Sequence, residues 1–179
     1  DRSARAFDPA SPLIAGTLSE AADLIRPHVA PARADGLTRF LLESSKSAAM
    51  VPPVPLAPLL QGLRARGLAL GVATNDAEAS AHAHLQAAGI AAQFDHVLGY
   101  DSGYTPKPAP DMLLGFAARA GLLPDSVVMV GDSPHDLIAG RAAGMVTVGV
   151  LTGLADMATL APHADLVLPD IGYLPAHIA

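Results

Sequence analysis

Two apolar segments of this 179-residue sequence are each followed directly by polar side chains. Thr74 and Asn75 follow the first segment, and Asp132 follows the second, with Asp136 four residues further on. Ligands of open parallel sheets bind beyond the carboxyl ends of the strands. If both segments are strands of one sheet, these four side chains should converge at a single edge.

A third segment adds the positive charge that the first two lack. Lys107 stands between Pro106 and Pro108 in the stretch that joins the two apolar segments. A hydroxyl, an amide, an ammonium group and two carboxylates together suit a phosphoryl group and a hard divalent cation such as Mg²⁺, which prefers carboxylate and water oxygens. We therefore expect Thr74 and Asn75 to donate hydrogen bonds to phosphate oxygens.

Lys107 is expected to stabilise the developing phosphoryl anion. Asp132 and Asp136, one helical turn apart, are expected to face the same metal ion. Each feature has a plain alternative when taken singly: a turn, an exposed loop lysine, or a helix cap. We expect the Lys107 side chain to lie on an exposed loop and His135 to be exposed to solvent.

The surrounding pattern predicts the elements that carry these groups. Apolar strands are predicted at 68–74, 94–98, 126–130, 145–150 and 165–168, alternating with helices at 56–66, 78–88, 111–120 and 137–143. Such strands are typical of a parallel sheet that is covered on both faces, so the fold class is α/β with a doubly wound parallel sheet. A capping box at Thr17–Glu20 opens a helical hairpin over 13–50. The proline cluster from Pro52 to Pro58 then predicts a boundary between residues 1–52 and an α/β core at 53–179.

Composition excludes several classes of protein. Hydrophobic residues make up 51% of the chain and charged residues 16%, which excludes intrinsic disorder. The net charge of −6 argues against a nucleic-acid partner, and the prolines interrupt any candidate membrane span. The chain has no cysteine, which excludes disulfides, zinc–thiolate sites and a thiol nucleophile, and favours a cytoplasmic location. Nothing in the sequence decides the oligomeric state.

Three segments resemble the second, third and fourth motifs of the haloacid dehalogenase superfamily, in its phosphoglycolate-phosphatase-like branch. They are Val72-Ala-Thr-Asn75, Lys107-Pro-Ala-Pro-Asp111 and the glycine-rich stretch from Val130 to Gly144. The resemblance implies a Rossmann-type core with a small, incomplete helical cap over residues 13–50. It also implies site roles: Thr74 would bind the phosphoryl group, and Lys107 would hold the nucleophile and the transferring phosphate. Asp132 would bind Mg²⁺, and Asp136 would be a ligand or lie just behind it.

The first motif of that superfamily, an apolar strand followed by Asp-x-Asp-x-Thr, is absent from the sequence. Phe7-Asp8-Pro9-Ala10 has neither the strand nor the second aspartate. We expect the motif, with the nucleophile and the strand that is normally central, to lie upstream of Asp1, so that this chain alone is inactive. The predicted activity is Mg²⁺-dependent hydrolysis of a small phosphorylated metabolite through an aspartyl-phosphate. The alternatives are a non-catalytic binding protein or truncation product and, among enzymes, a phosphomutase or a dehalogenase.

Overall fold

The computed structural model describes residue 13 and residues 16–178. The strands are β1 (Gly71–Ala73), β2 (His96–Leu98), β3 (Val128–Gly131), β4 (Val146–Val150) and β5 (Leu166–Leu168). The α-helices are α1 (Leu18–Ile25), α2 (Pro31–Ala34), α3 (Leu37–Lys46), α4 (Leu56–Ala65), α5 (Glu78–Ala87), α6 (Asp111–Ala120), α7 (Pro134–Ala142) and α8 (Met157–Leu160). Short 3₁₀ helices lie at Arg26–His28, Ala91–Gln93, Pro124–Ser126 and Ile171–Ala176.

All the strand pairs in the described part of the chain are parallel, which confirms the α/β prediction. β1 pairs with β2, and Val72 stands opposite Val97. β4 lies between β3 and β5, with Val148 opposite both Val130 and Leu166. The strands therefore form a two-stranded and a three-stranded sheet, and no strand among residues 16–178 hydrogen-bonds to both. An upstream central strand stays a prediction.

One apolar cluster joins the elements around the two sheets. Leu113 and Ala117 of α6 pack with Ala139 of α7, and Ala73 of β1 and Met129 of β3 pack against the same cluster. Ala117 and Ala139 are almost completely buried. Their small side chains let the helices approach the strands closely, which explains how a chain with few aromatic residues forms a dense core.

The N-terminal helices begin as the sequence predicts. The Thr17 hydroxyl accepts a hydrogen bond from the Glu20 amide at 3.2 Å, and the Glu20 carboxylate accepts one from the Thr17 amide at 2.6 Å. α3 packs against α1 and also against α5 of the core. A ring nitrogen of His84 on α5 lies 2.7 Å from the carbonyl oxygen of Ser45 on α3. This hydrogen bond links the N-terminal helices to the core. The domain boundary near residue 52 stays a prediction.

The observed elements differ from the predicted ones mainly at their ends. Of the residues predicted to form a strand at 68–74, only Gly71–Ala73 do so. The helix that is predicted to begin at residue 137 begins at Pro134. Ser133 caps that helix, which explains its earlier start. The Phe7–Ala10 segment lies outside the described residues. Among the residues that are described, no helix is both long and apolar enough to cross a membrane.

Candidate active site

A pocket of about 170 Å³ lies beyond the carboxyl ends of β1 and β3. This is the edge at which the sequence predicts a site, and the pocket brings all five predicted residues together. Its lining consists of Gly16, Thr74, Asn75, Asp76, Lys107, Asp132, Ser133, His135 and Asp136. The side chains come from segments that follow strands of both sheets and from the loop before α6.

Lys107 is enclosed by protein, so the prediction of an exposed loop lysine is wrong. Its ammonium nitrogen donates hydrogen bonds to the Ala73 carbonyl oxygen at 2.7 Å and to Asp136 Oδ1 at 2.5 Å. Only 10% of each side chain of this ion pair is exposed. The partners lie 34 and 29 residues away along the chain, so local sequence could not reveal them. The lysine thereby connects the end of β1 to the start of α7.

Asn75 holds the backbone of Lys107 through two hydrogen bonds. The Lys107 amide donates to Asn75 Oδ1 at 2.9 Å, and Asn75 Nδ2 donates to the Lys107 carbonyl oxygen at 2.8 Å. The same loop is packed at its start, where the Tyr104 ring lies against Gly115 of α6 and Arg119 lies 5.6 Å from the ring centre. These contacts fix the loop, and a direct role for Asn75 in substrate binding stays a prediction.

Asp136 is buried, and both of its carboxylate oxygens are hydrogen-bonded. Oδ1 accepts from Lys107, while Oδ2 accepts from the Ser133 amide at 3.1 Å and from the Ser133 hydroxyl at 2.7 Å. Gly131 allows this arrangement, because a Cβ atom at that position would lie 2.6 Å from Asp136 Oδ2. Asp136 therefore orients Lys107 and caps α7, and direct binding of a metal ion by Asp136 stays a prediction.

Asp132 is an accessible carboxylate of the pocket, as is Asp76. It is exposed, and its side chain makes no hydrogen bond to any other residue in the described part of the chain. Nearby protein atoms remove part of its hydration and raise the pKa of Asp132, and the negative charge of Asp136 raises this pKa further. The charge of Lys107 acts in the opposite direction. A bound cation would favour the ionised form.

The charges of the lining suit a cation together with a phosphate. Three carboxylates, those of Asp76, Asp132 and Asp136, face one ammonium group, so the pocket as a whole repels a phosphate anion. A divalent cation on Asp132 would reverse that balance. Mg²⁺ is usually held by one or two carboxylates together with water and substrate phosphate oxygens. The described residues contain no group of three or more acidic or histidine side chains that could hold a metal ion, but this cation does not require one.

Thr74 and His135 complete the lining. Thr74 is half-buried, and its hydroxyl oxygen accepts a hydrogen bond from the Asp76 amide at 3.0 Å. His135 is also half-buried, so the prediction of a solvent-exposed histidine is wrong. Its Nδ1 atom is buried and has no hydrogen-bond partner among the residues that the structure describes. His135 is thus in contact with protein at Nδ1 while it also lines the pocket.

Comparisons with known proteins agree with this geometry. The family model for haloacid dehalogenase-like hydrolases matches residues 39–150. The chain is 43% identical over 115 residues to a phosphoglycolate phosphatase of Neisseria meningitidis, covering 63% of this chain and 48% of that protein. It is 38% identical over 118 residues to a phosphoglycolate phosphatase of Escherichia coli K12, covering 66% of this chain and 45% of that protein.

Solved structures share the fold as well. A haloacid dehalogenase phosphatase from Thermococcus onnurineus superposes with a TM-score of 0.65 at 28% identity, covering 77% of this chain and 62% of that one. The chain spans less than half of the length of the two curated relatives described above.

Proposed function

The chain belongs to the haloacid dehalogenase-like hydrolase family, and from this premise we propose that it carries most of the active site of a Mg²⁺-dependent phosphomonoester hydrolase. The observation that carries the proposal is the division of charge in the pocket. Lys107 is fixed by an ion pair with Asp136, while Asp132 is left accessible. A phosphate and a metal ion that bind side by side need an oriented positive group next to an accessible carboxylate.

Lys107 acts on the phosphoryl group in this proposal. An ammonium group has three donors, and two of them are directed to the Ala73 carbonyl and to Asp136. The third is available to an oxygen of the transferring phosphate. Because the nitrogen is already fixed by two partners, it needs little reorganisation when negative charge develops, which is the condition for effective electrostatic stabilisation.

Thr74 binds the phosphate through its hydroxyl. The oxygen already accepts a hydrogen bond from the Asp76 amide, so the hydroxyl hydrogen remains available to donate to a phosphate oxygen. Asp132 holds the metal ion, with Asp136 close behind it. Bound Mg²⁺ would neutralise phosphate charge and orient the transferring group.

The nucleophile is proposed to lie upstream of Asp1, in an Asp-x-Asp-x-Thr motif on a further strand. No such motif occurs in the 179 residues, so this chain alone should not turn over a phosphomonoester. The substrate is a small phosphorylated metabolite, as the names of the curated relatives suggest. Residues 1–52 would contribute to its selection as part of a helical cap, and a cytoplasmic location completes the proposal.

The test measures release of inorganic phosphate from p-nitrophenyl phosphate by the full-length protein, with Mg²⁺ and after its removal by EDTA. Activity should require Mg²⁺. The Asp132→Asn variant should lose nearly all activity, because the free carboxylate ligand is gone, while the Asp125→Asn variant, altered far from the pocket lining, should keep it. Full activity in Asp132→Asn would exclude the proposed metal role.

The short chain of residues 1–179 is assayed beside the full-length protein and should be inactive. Turnover by the short chain would place the nucleophile within it. Phosphate transfer within a sugar phosphate instead of phosphate release would indicate a phosphomutase, and halide release from a haloacid would indicate a dehalogenase. No turnover by the full-length protein would favour the non-catalytic alternative.

A further inference from the structure

The loop that follows β4 lies directly against the Asp132 carboxylate. A Cβ atom built on Gly153 in this loop would lie 2.7 Å from Asp132 Cγ and 2.9 Å from Asp132 Cβ, and closer still to Oδ2. Real side chains do not approach so closely. The Asp132 side chain therefore occupies the space that the Cβ atom of any other residue at position 153 would need.

Backbone conformation does not require glycine at this position. The φ angle of Gly153 lies outside the left-handed region, in contrast to that of Gly144, which is 77°. Alanine could adopt the same backbone without conformational strain. The three atoms nearest to such a Cβ all belong to the Asp132 side chain, so this side chain is the first obstacle to a residue larger than glycine.

Asp132 needs such a neighbour because no hydrogen bond to another described residue fixes its side chain. Asp136 is held by Lys107 and Ser133, whereas Asp132 makes no hydrogen bond to another described residue. An exposed aspartate usually samples several rotamers. The Gly153 backbone, which lies against one side of Asp132, excludes some of these rotamers. The carboxylate is then held on the pocket side, where it forms part of the lining.

We propose that Gly153 is a positioning residue for the metal-binding carboxylate: its missing side chain allows the loop after β4 to hold Asp132 in place. This inference rests on the metal role of Asp132 in the proposed function. It assigns to the loop after β4 a part in a site whose other side chains follow β1 and β3 or lie in the loop before α6. Sequence reasoning missed Gly153 because glycine carries no chemical group. The only available signal was its place just beyond a strand at the same sheet edge.

The experiment compares Mg²⁺ binding to the full-length protein by calorimetry, without substrate, in wild type, Gly153→Ala and Asp132→Asn. We expect Gly153→Ala to weaken Mg²⁺ binding roughly 10–100-fold, the usual effect of losing a group that orients a metal ligand. Leu154→Ala, at an exposed neighbour in the same loop, and Gly62→Ala, where a Cβ meets no atom within 4 Å, are the controls and should bind Mg²⁺ as wild type does.

A second measurement keeps the test decisive if Gly153→Ala is poorly folded. The decrease in the free energy of unfolding caused by Gly153→Ala is measured in the wild-type background and again in an Asp132→Ala background. The Asp132→Ala protein lacks Oδ2 and Cγ, which are two of the three atoms that the new Cβ would meet. The loss should be smaller there. An equal loss in both backgrounds, or unchanged Mg²⁺ affinity in a folded Gly153→Ala protein, would overturn the inference. If Asp132→Asn itself leaves Mg²⁺ binding unchanged, the proposed metal role fails instead.

Discussion

Replacing Lys107 by methionine tests whether the ion pair with Asp136 supports the fold as well as the chemistry. Methionine keeps most of the length of the side chain and removes its charge. Both side chains of the pair are only 10% exposed, so the substitution leaves a buried carboxylate without its cation. Breaking a buried pair at one partner costs about 3–5 kcal/mol.

The structure places the expected cost at or just below the lower limit of that range. Asp136 keeps two hydrogen bonds from Ser133, at 3.1 Å and 2.7 Å, which continue to stabilise its negative charge. We expect Lys107→Met to lower the free energy of unfolding by about 2–3 kcal/mol, since part of the penalty for an unpaired buried charge is offset. For a chain of this size that corresponds to a decrease in Tm of roughly 4–12 °C. The kcat should also fall about 10²–10³-fold, because a preorganised donor is lost.

The assay is urea denaturation followed by circular dichroism, with the double variant Lys107→Met/Asp136→Asn beside the single one. Removing both charges should restore most of the stability, because no buried charge remains, but none of the activity. Lys46→Met is the matched control. Lys46 pairs with Glu43 on α3, where the two side chains are 31% and 65% exposed, and such surface pairs contribute about 0.2–1 kcal/mol. If Lys107→Met costs no more than Lys46→Met, the argument for an internal ion pair is wrong.

Two further predictions concern groups around the pocket and the sheet. Asn75→Ala should lower kcat, because the Lys107 backbone loses both of its hydrogen bonds to the Asn75 side chain. Asn75→Gln should fail to restore the rate, because its longer side chain misplaces the same atoms. A rise in KM together with the loss of kcat would show that Asn75 also binds substrate, whereas an unchanged kcat would contradict the positioning role. Hydrogen bonds from the Thr147 amide and hydroxyl lower the pKa of Asp165, so the folded state binds a proton less readily than the unfolded state. This contribution to stability is therefore present above about pH 4 and is lost as the pH falls through the lower pKa of the folded state. Asp165→Asn should make the urea midpoint less sensitive to pH between roughly pH 5 and pH 3, and an unchanged pH dependence would contradict the assignment.

The order and type of the main elements could be predicted because they depend on local pattern. The run of apolar residues around Val148 and the capping box at Thr17 both act over a few residues, and both appear in the structure. The strand ends could not be predicted in the same way. Residues 68–70 are as apolar as β1, but whether they pair depends on a neighbouring strand that is distant in sequence.

The site shows the same division between local and distant information. The convergence of Thr74, Lys107 and Asp132 follows from a general rule about parallel sheets, so it could be predicted without any contact being known. The burial of Lys107 could not, because it depends on Asp136 and on the carbonyl of Ala73, and neither is near it in sequence. The role of Gly153 could not be predicted for a further reason. Its effect comes from the absence of a side chain next to Asp132, and no sequence pattern marks that space.

The contacts of Lys107 connect stability to function in a way that limits how the site can change. The lysine bonds to the end of β1 and, through Asp136, to the start of α7, which packs on β3. In the described part of the chain these two strands belong to different sheets, so the group proposed to stabilise the transferring phosphate also ties the sheets together at the pocket. A substitution at Lys107 must therefore reduce both activity and stability. The difference between Asp132 and Asp136 has the same origin: because Asp136 is bound by the lysine, Asp132 is the one of these two that remains accessible to a cation.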